Sequence, residues 1–293
     1  MPLLVTSASG ANGDGFGALL AFAADGQCRG ALSDDLRIAD PRGMCTSADG
    51  KLLYLNSGDD RILALDSDGQ VVLDSGRIPG LNAGGGVVGP DGRYYVGLRS
   101  EKTIAAFSPD MNGPPVRVLP PDIVPFPRGF GFAADGRLFL ASGIGPDGAG
   151  QNTILAFGPG PSLTATSFID DDEVSPLDLA VAPGGNVLVS SEYPFGAPNA
   201  VASIREYDGT SGELVRVFSP PHDVPLHRPR GLRFGPGGVL YCVARDAAVA
   251  FDYASGRFIG TVVSRSRLNG QAITFFGPLA IERRIGGGPK IPR

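Results

Sequence analysis

The sequence predicts an all-β protein, a six-bladed β-propeller built from four-stranded antiparallel blades. Three observations predict this fold: a four-strand unit between Pro41 and Gly76, the return of that unit along nearly the whole chain, and a lone strand near the C-terminus. Four short antiparallel strands cannot bury both of their faces alone, so copies of the unit must stack. A closed ring of copies also pairs strands that would otherwise be exposed edges.

The clearest copy of the unit reads PRGMCTSADGKLLYLNSGDDRILALDSDGQVVLDSG. Short apolar runs predict its strands at 42–46, 52–55, 61–65 and 71–73. Asp-Gly pairs at 49–50 and 68–69 mark tight turns, because glycine readily adopts the positive φ that such turns need.

The other copies predict a single propeller domain over residues 1–293. Full blades are expected at about 38–78, 79–123, 124–172, 173–223 and 224–266. Residues 1–37 match a blade without its first strand, and 267–278 match a lone first strand. We therefore expect the C-terminal strand to join the N-terminal blade and close the ring, with 279–293 as a tail.

Composition argues against several classes of partner and location. With a net charge of −5, the chain has no overall attraction for nucleic acid or an anionic membrane surface, so neither is expected as a partner. No run of about 18 apolar residues could span a membrane. The N-terminal MPLLVTSASG has no visible signal peptide, which predicts a cytoplasmic protein, although a secreted form with its signal removed would look the same.

The three cysteines, Cys28, Cys45 and Cys242, lie in predicted strands of different blades. An odd number without close spacing argues against a disulfide framework or a zinc site. We expect three buried, reduced thiols.

The repeat resembles the NHL repeat, in which a Pro-x-Gly start precedes an apolar strand, an Asp-Gly turn and an aspartate/serine-glycine-asparagine-x-Arg-Ile stretch. The residues that follow this order are Pro41-Arg42-Gly43, Asp49-Gly50, Ser57-Gly58 and Arg61-Ile62. The chain is similar, more distantly, to the gluconolactonase and streptogramin-lyase-like six-bladed propellers. The resemblance implies the fold but little about function, because this architecture carries many chemistries.

Loop lengths predict where a site lies. In a four-stranded blade, the loops before strand one and after strand two emerge on one face, and the tight turns emerge on the other. The turns are nearly uniform, whereas loops on the opposite face, such as 7–17, 142–152 and 191–202, vary in length. Variable loops on a rigid scaffold usually carry binding sites, so the channel mouth on that face is the predicted site.

The residues that begin the inner strands should converge on this mouth. The predicted substrate-binding residues at these positions are Arg42, Asn82, Arg128, Arg230 and Asn269. A guanidinium is a planar fork of donors that suits carboxylate, phosphate or sulfate, so we expect a small anionic molecule as partner. Tyr193, in the insert 191–199, is a further candidate. The alternative is that the arginines form structural ion pairs with acids of neighbouring blades.

Three residues are candidates for catalytic proton transfer. His227 lies three residues before Arg230, and the imidazole is the side chain that titrates nearest to neutral pH. Asp178 begins an inner strand, and Glu192 lies on the same face. Asp178 also has a simpler interpretation as the counter-ion of Arg128 or Arg230.

Metal-dependent gluconolactonase-like propellers, by resemblance, place a Glu, two Asn-type residues and an Asp around the channel. Only Asn82, Asp178 and Asn269 have counterparts here. No Glu begins an inner strand, and arginine, which cannot ligate a cation, begins three of them. We therefore expect no cofactor; if a divalent metal is bound, these three residues are its expected ligands.

These observations predict a small-molecule enzyme of the lyase or hydrolase (lactonase-like) type that acts on an anionic or sugar-acid-like substrate at the channel mouth. The arginines would hold the anion and stabilise a developing enolate, while His227, with Asp178 or Glu192, would move protons. The alternative is a non-catalytic NHL-type propeller that binds a ligand or a protein partner through the inserts 142–152 and 191–199.

Overall fold

A computed structural model of the chain confirms the six-bladed propeller of four-stranded antiparallel blades. The structure describes residues 2–7, 17–144, 150–159, 165–192, 202–224, 226–264 and 268–277. Within these ranges the chain forms 24 strands and one short 3₁₀ helix, Pro236–Gly238. None of the helical structure in this part of the chain is long and apolar enough to cross a membrane.

The strands group into blades in chain order. Blade 1 contains β1 (Leu3–Ser7), β2 (Ala18–Phe22), β3 (Cys28–Ala31) and β24 (Gly270–Phe275). Blade 2 contains β4 (Met44–Thr46), β5 (Leu53–Ser57), β6 (Arg61–Leu65) and β7 (Val71–Asp74). Blade 3 contains β8 (Ala83–Val88), β9 (Tyr94–Leu98), β10 (Thr103–Phe107) and β11 (Val116–Arg117).

The remaining blades repeat the same order. Blade 4 contains β12 (Pro127–Phe132), β13 (Leu138–Ile144), β14 (Gly150–Phe157) and β15 (Ala165–Asp170). Blade 5 contains β16 (Pro176–Val181), β17 (Val187–Ser191), β18 (Ser203–Tyr207) and β19 (Leu214–Phe218). Blade 6 contains β20 (Leu232–Phe234), β21 (Val239–Val243), β22 (Ala247–Asp252) and β23 (Phe258–Ser264).

The ring closes as the sequence predicts, because β24 pairs antiparallel with β1 and becomes the inner strand of blade 1. Leu3 lies opposite Phe275 in this pairing, and Val5 lies opposite Ile273. The two ends of the chain therefore share one sheet, in which β1 is paired on both sides and β24 is the innermost strand.

The apolar core lies between neighbouring blades. Second strands such as β5 and β9 are buried along their whole length, since a blade packs on both sides and its middle strands read as continuous apolar runs. Tyr54 of blade 2 stacks on Tyr94 of blade 3 with ring centroids 4.9 Å apart. Outer strands such as β3 and β19 are mostly exposed.

Glycines bring the inner strands close together around the channel. A Cβ at Gly85 would lie 2.6 Å from the carbonyl oxygen of Arg128, and one at Gly129 would lie 2.0 Å from Asp178 Oδ1. Side chains at these positions would push neighbouring blades apart. The run Gly84-Gly85-Gly86 therefore serves close packing at the propeller axis.

The cysteine prediction holds only in part. All three cysteines are free thiols; Cys242 is buried and Cys45 half-buried, but Cys28 is exposed. Cys28 lies on β3, an outer strand that no further strand covers within its sheet, so burial does not extend to it. Residues 8–16, 145–149 and 193–201 of the loops 7–17, 142–152 and 191–202, and all of 279–293, lie outside the described residues.

Candidate functional site at the channel mouth

A cavity of about 150 Å³ opens on the face where inner strands begin and second strands end. All six blades contribute backbone or side chains to its wall. Among the residues that the structure describes, its charged lining consists of five arginines and two carboxylates: Arg42, Arg99, Arg128, Arg230, Arg233, Asp178 and Glu192. The three arginines predicted from the sequence therefore face one cavity, together with two of the predicted acids.

A β-bulge and a glycine position Arg128. It lies in blade 4 where the pairing of β12 with β13 shifts register between Pro127 and Phe130, and bulges commonly redirect a side chain in this way. On the adjacent strand, a Cβ at Gly143 would lie 2.7 Å from Arg128 Nε, so only glycine leaves room for the guanidinium. Burial lowers the pKa of Arg128 to about 10, with Glu192 opposing the shift.

Glu192 is the carboxylate on which three arginines from two neighbouring blades converge. Arg230 donates to its Oε1 from Nη2 at 2.7 Å and from Nε at 3.1 Å. Arg128 Nη1 lies 4.0 Å from Oε2, and Arg228 Nε lies 3.8 Å from Oε1. Because the Glu192 residue is only 5% exposed, this cluster joins blades 4, 5 and 6 beneath the solvent surface.

The two predicted asparagines support arginines from the side. Asn82 Oδ1 accepts a 2.9 Å hydrogen bond from Arg42 Nη1, and Asn269 Oδ1 accepts a 3.4 Å bond from Arg230 Nη1. Both asparagines have φ of 41°, a left-handed conformation that asparagine tolerates better than most residues. Neither is among the residues that line the cavity, so their role in the structure is to orient the guanidinium groups.

Arg99 lines the cavity although the sequence interpretation did not include it. It follows β9 as Glu192 follows β17: the backbone N–H of each donates to the residue before the inner strand of its blade, Asn82 or Ser175. The signal that could have identified Arg99 is its position directly after a second strand. The sequence interpretation missed it because it compared the arginines only at the starts of the inner strands. Burial lowers the pKa of Arg99 to about 9, and repulsion from Arg42 and Arg128 acts in the same direction.

Asp178 pairs with Arg233, whereas the sequence interpretation expected Arg128 or Arg230 as its partner. Its Oδ2 accepts hydrogen bonds from Arg233 Nη1 at 2.8 Å and from the Leu232 N–H at 3.0 Å. Burial raises the pKa of Asp178, and the nearby Arg233 opposes that shift. Arg233 Nη2 also reaches the carbonyl of Gly86 in blade 3 at 3.5 Å, so the pair crosses the channel and forms the floor of the cavity.

The structure does not bring His227 to the arginines. His227 is exposed and lines a different cavity of about 210 Å³, with Asp223 and Asp246 among its neighbours. Between His227 and Arg230 the chain passes through Arg228 at φ 52°, and this left-handed residue turns the chain between the two side chains. His222 is exposed as well, and Tyr193 lies outside the described residues.

The residues expected to ligate a metal do not suit a divalent cation. The oxygens of Asn82, Asp178 and Asn269 each accept a hydrogen bond from an arginine, whose charge would repel a cation. Among the described residues, no group of three or more His, Cys, Asp or Glu side chains has a metal-binding arrangement. The arrangement at the mouth instead favours anions.

Comparisons with known proteins support the fold. No family model matches the sequence, and no curated protein matches it. A chain of the nidogen/laminin complex matches with a TM-score of 0.72 and 13% identity, over 93% of this chain and 97% of that chain. A gluconolactonase from Xanthomonas campestris matches with a TM-score of 0.66 and 18% identity, over 94% and 88% of the two chains.

A streptogramin B lyase matches with a TM-score of 0.59 and 14% identity, over 80% of this chain and 72% of that chain. The chain shares their fold. The similarity to lactonase-like and streptogramin-lyase-like propellers that the sequence predicts is therefore confirmed for the architecture, while identities this low carry no residue roles from one protein to another.

Proposed function

We propose that the protein is a small-molecule enzyme of the lyase or hydrolase type that acts on a carboxylate-bearing substrate at the channel mouth. The observation that carries this proposal is the excess of guanidinium over carboxylate groups in the cavity, where five arginines meet two acids. An anion in such a partly enclosed site forms charge-assisted hydrogen bonds for which little water competes.

The cavity volume limits which part of a substrate can enter. A cavity of about 150 Å³ in an engineered protein interior holds a benzene molecule. The channel cavity has a similar volume of about 150 Å³, so it accommodates a short acid or the anionic end of a longer molecule. The floor formed by Asp178 and Arg233 means that the substrate enters and leaves through the mouth.

Glu192 is the acid–base group that we assign. Asp178 is held by a backbone N–H and Arg233, whereas no hydrogen bond from the described residues reaches Glu192 Oε2. In the proposed step, Oε2 takes a proton from the carbon next to an arginine-bound carboxylate. The C–H electron pair then delocalises onto the carboxylate oxygens, where the guanidinium groups stabilise the added charge.

The fold comparisons add an argument by analogy. Two of the similar structures are named as a gluconolactonase and a streptogramin B lyase, so this architecture supports both reaction types in other proteins. Fold similarity by itself assigns no activity, and the proposal therefore depends on the cavity.

Non-catalytic binding of the same kind of anion is the second candidate function. The observation that favours it is the position of His227, which is exposed and lines a separate cavity. Without an imidazole at the site, Glu192 is left to transfer protons while paired with Arg230. Binding alone requires no such group.

Ligand-dependent thermal unfolding tests the binding part of the proposal. We expect acetate, malate, gluconate or phosphate to stabilise the protein with or without a chelator, by about 2.7 kcal/mol at a hundred times the dissociation constant. Arg128→Met should abolish the shift. The control is Arg93→Gln, which removes a half-exposed arginine of a turn in blade 3 whose one ion pair within the described part of the chain is with Asp91. If none of these ligands stabilises the wild-type protein against thermal unfolding, the proposal is overturned.

Hydrogen exchange separates catalysis from binding. In deuterated water, the wild-type enzyme should exchange the α-hydrogen of a bound carboxylic acid, as followed by proton NMR, and a lactone panel should report hydrolysis through acid release. Glu192→Gln should lose the reaction and keep binding. Binding with neither exchange nor hydrolysis would support the second candidate.

A further inference from the structure

The cavity has two cationic ends that differ in their counter-ions. The Glu192 end comprises Arg128, Arg230 and Glu192; the Arg99 end comprises Arg42 and Arg99. Both ends belong to the cavity of the proposed function, and the inference below rests on that function. The comparison of the two ends indicates how many anionic groups the substrate carries.

Arg99 forms no ion pair and no side-chain hydrogen bond with the described residues, and the carboxylate that attracts it at longer range is Asp40. The Arg99 Nε is buried and has no hydrogen-bond partner among those residues, although a guanidinium is a donor at five positions. A Cβ at Gly84 would lie 3.1 Å from this Nε, so the inner strand of blade 3 packs directly against the group. A guanidinium whose inner nitrogen is desolvated without an acceptor is costly, which makes this arrangement unusual unless it serves an anion.

The aromatic contact does not replace an acceptor. Arg99 lies over the Phe126 ring at 5.5 Å, and Arg128 lies over the same ring at 4.9 Å. One ring therefore serves two cations, and each repels the other. A purely structural arginine would gain more from a carboxylate than from this shared ring.

Arg42 completes the Arg99 end. Its acceptors are the Asn82 side chain, the Ala83 carbonyl at 3.4 Å and Asp40 at 3.4 Å. The Asp40 side chain is half-exposed, so water weakens its effect on the guanidinium. The Arg99 end thus keeps at least one positive charge that the protein does not neutralise.

Among the described residues, the Glu192 end also holds more guanidinium than carboxylate groups. Arg128 and Arg230 are both mostly buried, and each forms an ion pair with Glu192, which Arg228 also approaches. Glu192 shows that a carboxylate fits against this pair, because Arg230 binds it through two nitrogens. Each end can therefore accept one further anionic group.

We propose that the substrate is a small molecule with two carboxylates, one held by Arg99 with Arg42 and the other by Arg128 with Arg230. Arg99 is the residue that determines this specificity, because among the five lining arginines it alone forms neither an ion pair nor a side-chain hydrogen bond with the described residues. A short dicarboxylate spans both ends within a cavity of about 150 Å³.

Isothermal titration with matched ligands tests the inference. Malonate and succinate are each compared with their monomethyl esters, which lose one charge and add one methyl group; inorganic phosphate is the third probe. In the wild-type protein and in the Arg93→Gln control, we expect at least one dicarboxylate to bind about tenfold or more tightly than its ester. In Arg99→Gln this ratio should fall to near one, and in Arg99→Lys it should lie in between.

The outcomes separate this inference from the proposed function. Equal affinity for dicarboxylate and ester would overturn the inference while anion binding stands, and tighter binding of phosphate would overturn it in favour of one doubly charged group. Absence of binding by all probes would overturn the proposed function. Circular dichroism shows whether Arg99→Gln folds; if it does not, the dicarboxylate-to-ester ratio of Arg99→Lys decides.

Discussion

The arginines of the channel mouth and those on the third and fourth strands, away from the channel, have different surroundings. On β18, the third strand of blade 5, Arg205 pairs with both Asp171, at 2.8 Å, and Glu173, at 2.5 Å. Arg216 pairs with Glu206 and also donates to two backbone carbonyls. At the mouth, five arginines share two carboxylates.

Arginine therefore takes two different roles in this fold. A charge buried for structural reasons needs its partners from the protein, since an unpaired buried charge destabilises the folded state. A binding site must instead present donors that the folded chain does not satisfy. The outer arginines fit the first description, and Arg99 fits the second.

The largest expected effect contrasts Glu206 with Arg99. Glu206 is 1% exposed and accepts hydrogen bonds from Arg216, Tyr253 and Asn186. Glu206→Ala leaves these donors unpaired, so we expect the free energy of unfolding in urea to fall by about 2–4 kcal/mol. Arg99→Gln should change it by less than about 0.5 kcal/mol or raise it, because a desolvated charge is removed. If Arg99→Gln lowered the free energy of unfolding as much as Glu206→Ala, Arg99 would be a structural residue, and the contrast between the two groups of arginines would be wrong.

A smaller effect concerns Glu192, the built-in anion of the mouth. Glu192→Gln removes the negative charge that competes with a bound carboxylate for Arg230 and Arg128. We expect affinity for dicarboxylates to rise about three- to tenfold by calorimetry, most clearly at low salt. Glu213→Gln, at an exposed turn of blade 5, is the matched control. Weaker binding in Glu192→Gln would mean that Glu192 orients the arginines more than it repels the ligand.

The smallest expected effect is the pH dependence of the stability that the hydrogen bonds around Glu206 contribute. Burial by itself raises the pKa of Glu206, but hydrogen bonds from Tyr253, Asn186 and Arg216 together lower it below its ordinary value. These hydrogen bonds therefore contribute their full free energy of stabilisation above the pKa that Glu206 has in the unfolded chain. This stabilisation is lost as the pH falls through the lower pKa of the folded state, below about pH 4. We expect the difference in unfolding free energy between wild type and Glu206→Gln to shrink from pH 7 to pH 3. A constant difference would contradict the assignment.

The sequence predicts the ring because its signals are local and periodic. Asp-Gly turns, short apolar strands and the spacing of the copies are properties of consecutive residues, and they place Arg42, Arg128 and Arg230 at equivalent positions of alternate blades. Equivalent positions in a closed ring converge on its axis, so a shared cavity follows from the spacing alone.

The sequence pattern thus predicts the number of blades, the closure of the ring and the face that carries the cavity. Only the tertiary structure decided which charges meet: Arg233 rather than Arg128 or Arg230 pairs with Asp178, Arg99 enters the site, and His227 faces elsewhere. The physical reason is that ion pairing depends on side chains from strands tens of residues apart, at distances set by close contacts of glycines and by single left-handed residues. Periodicity does not encode those distances.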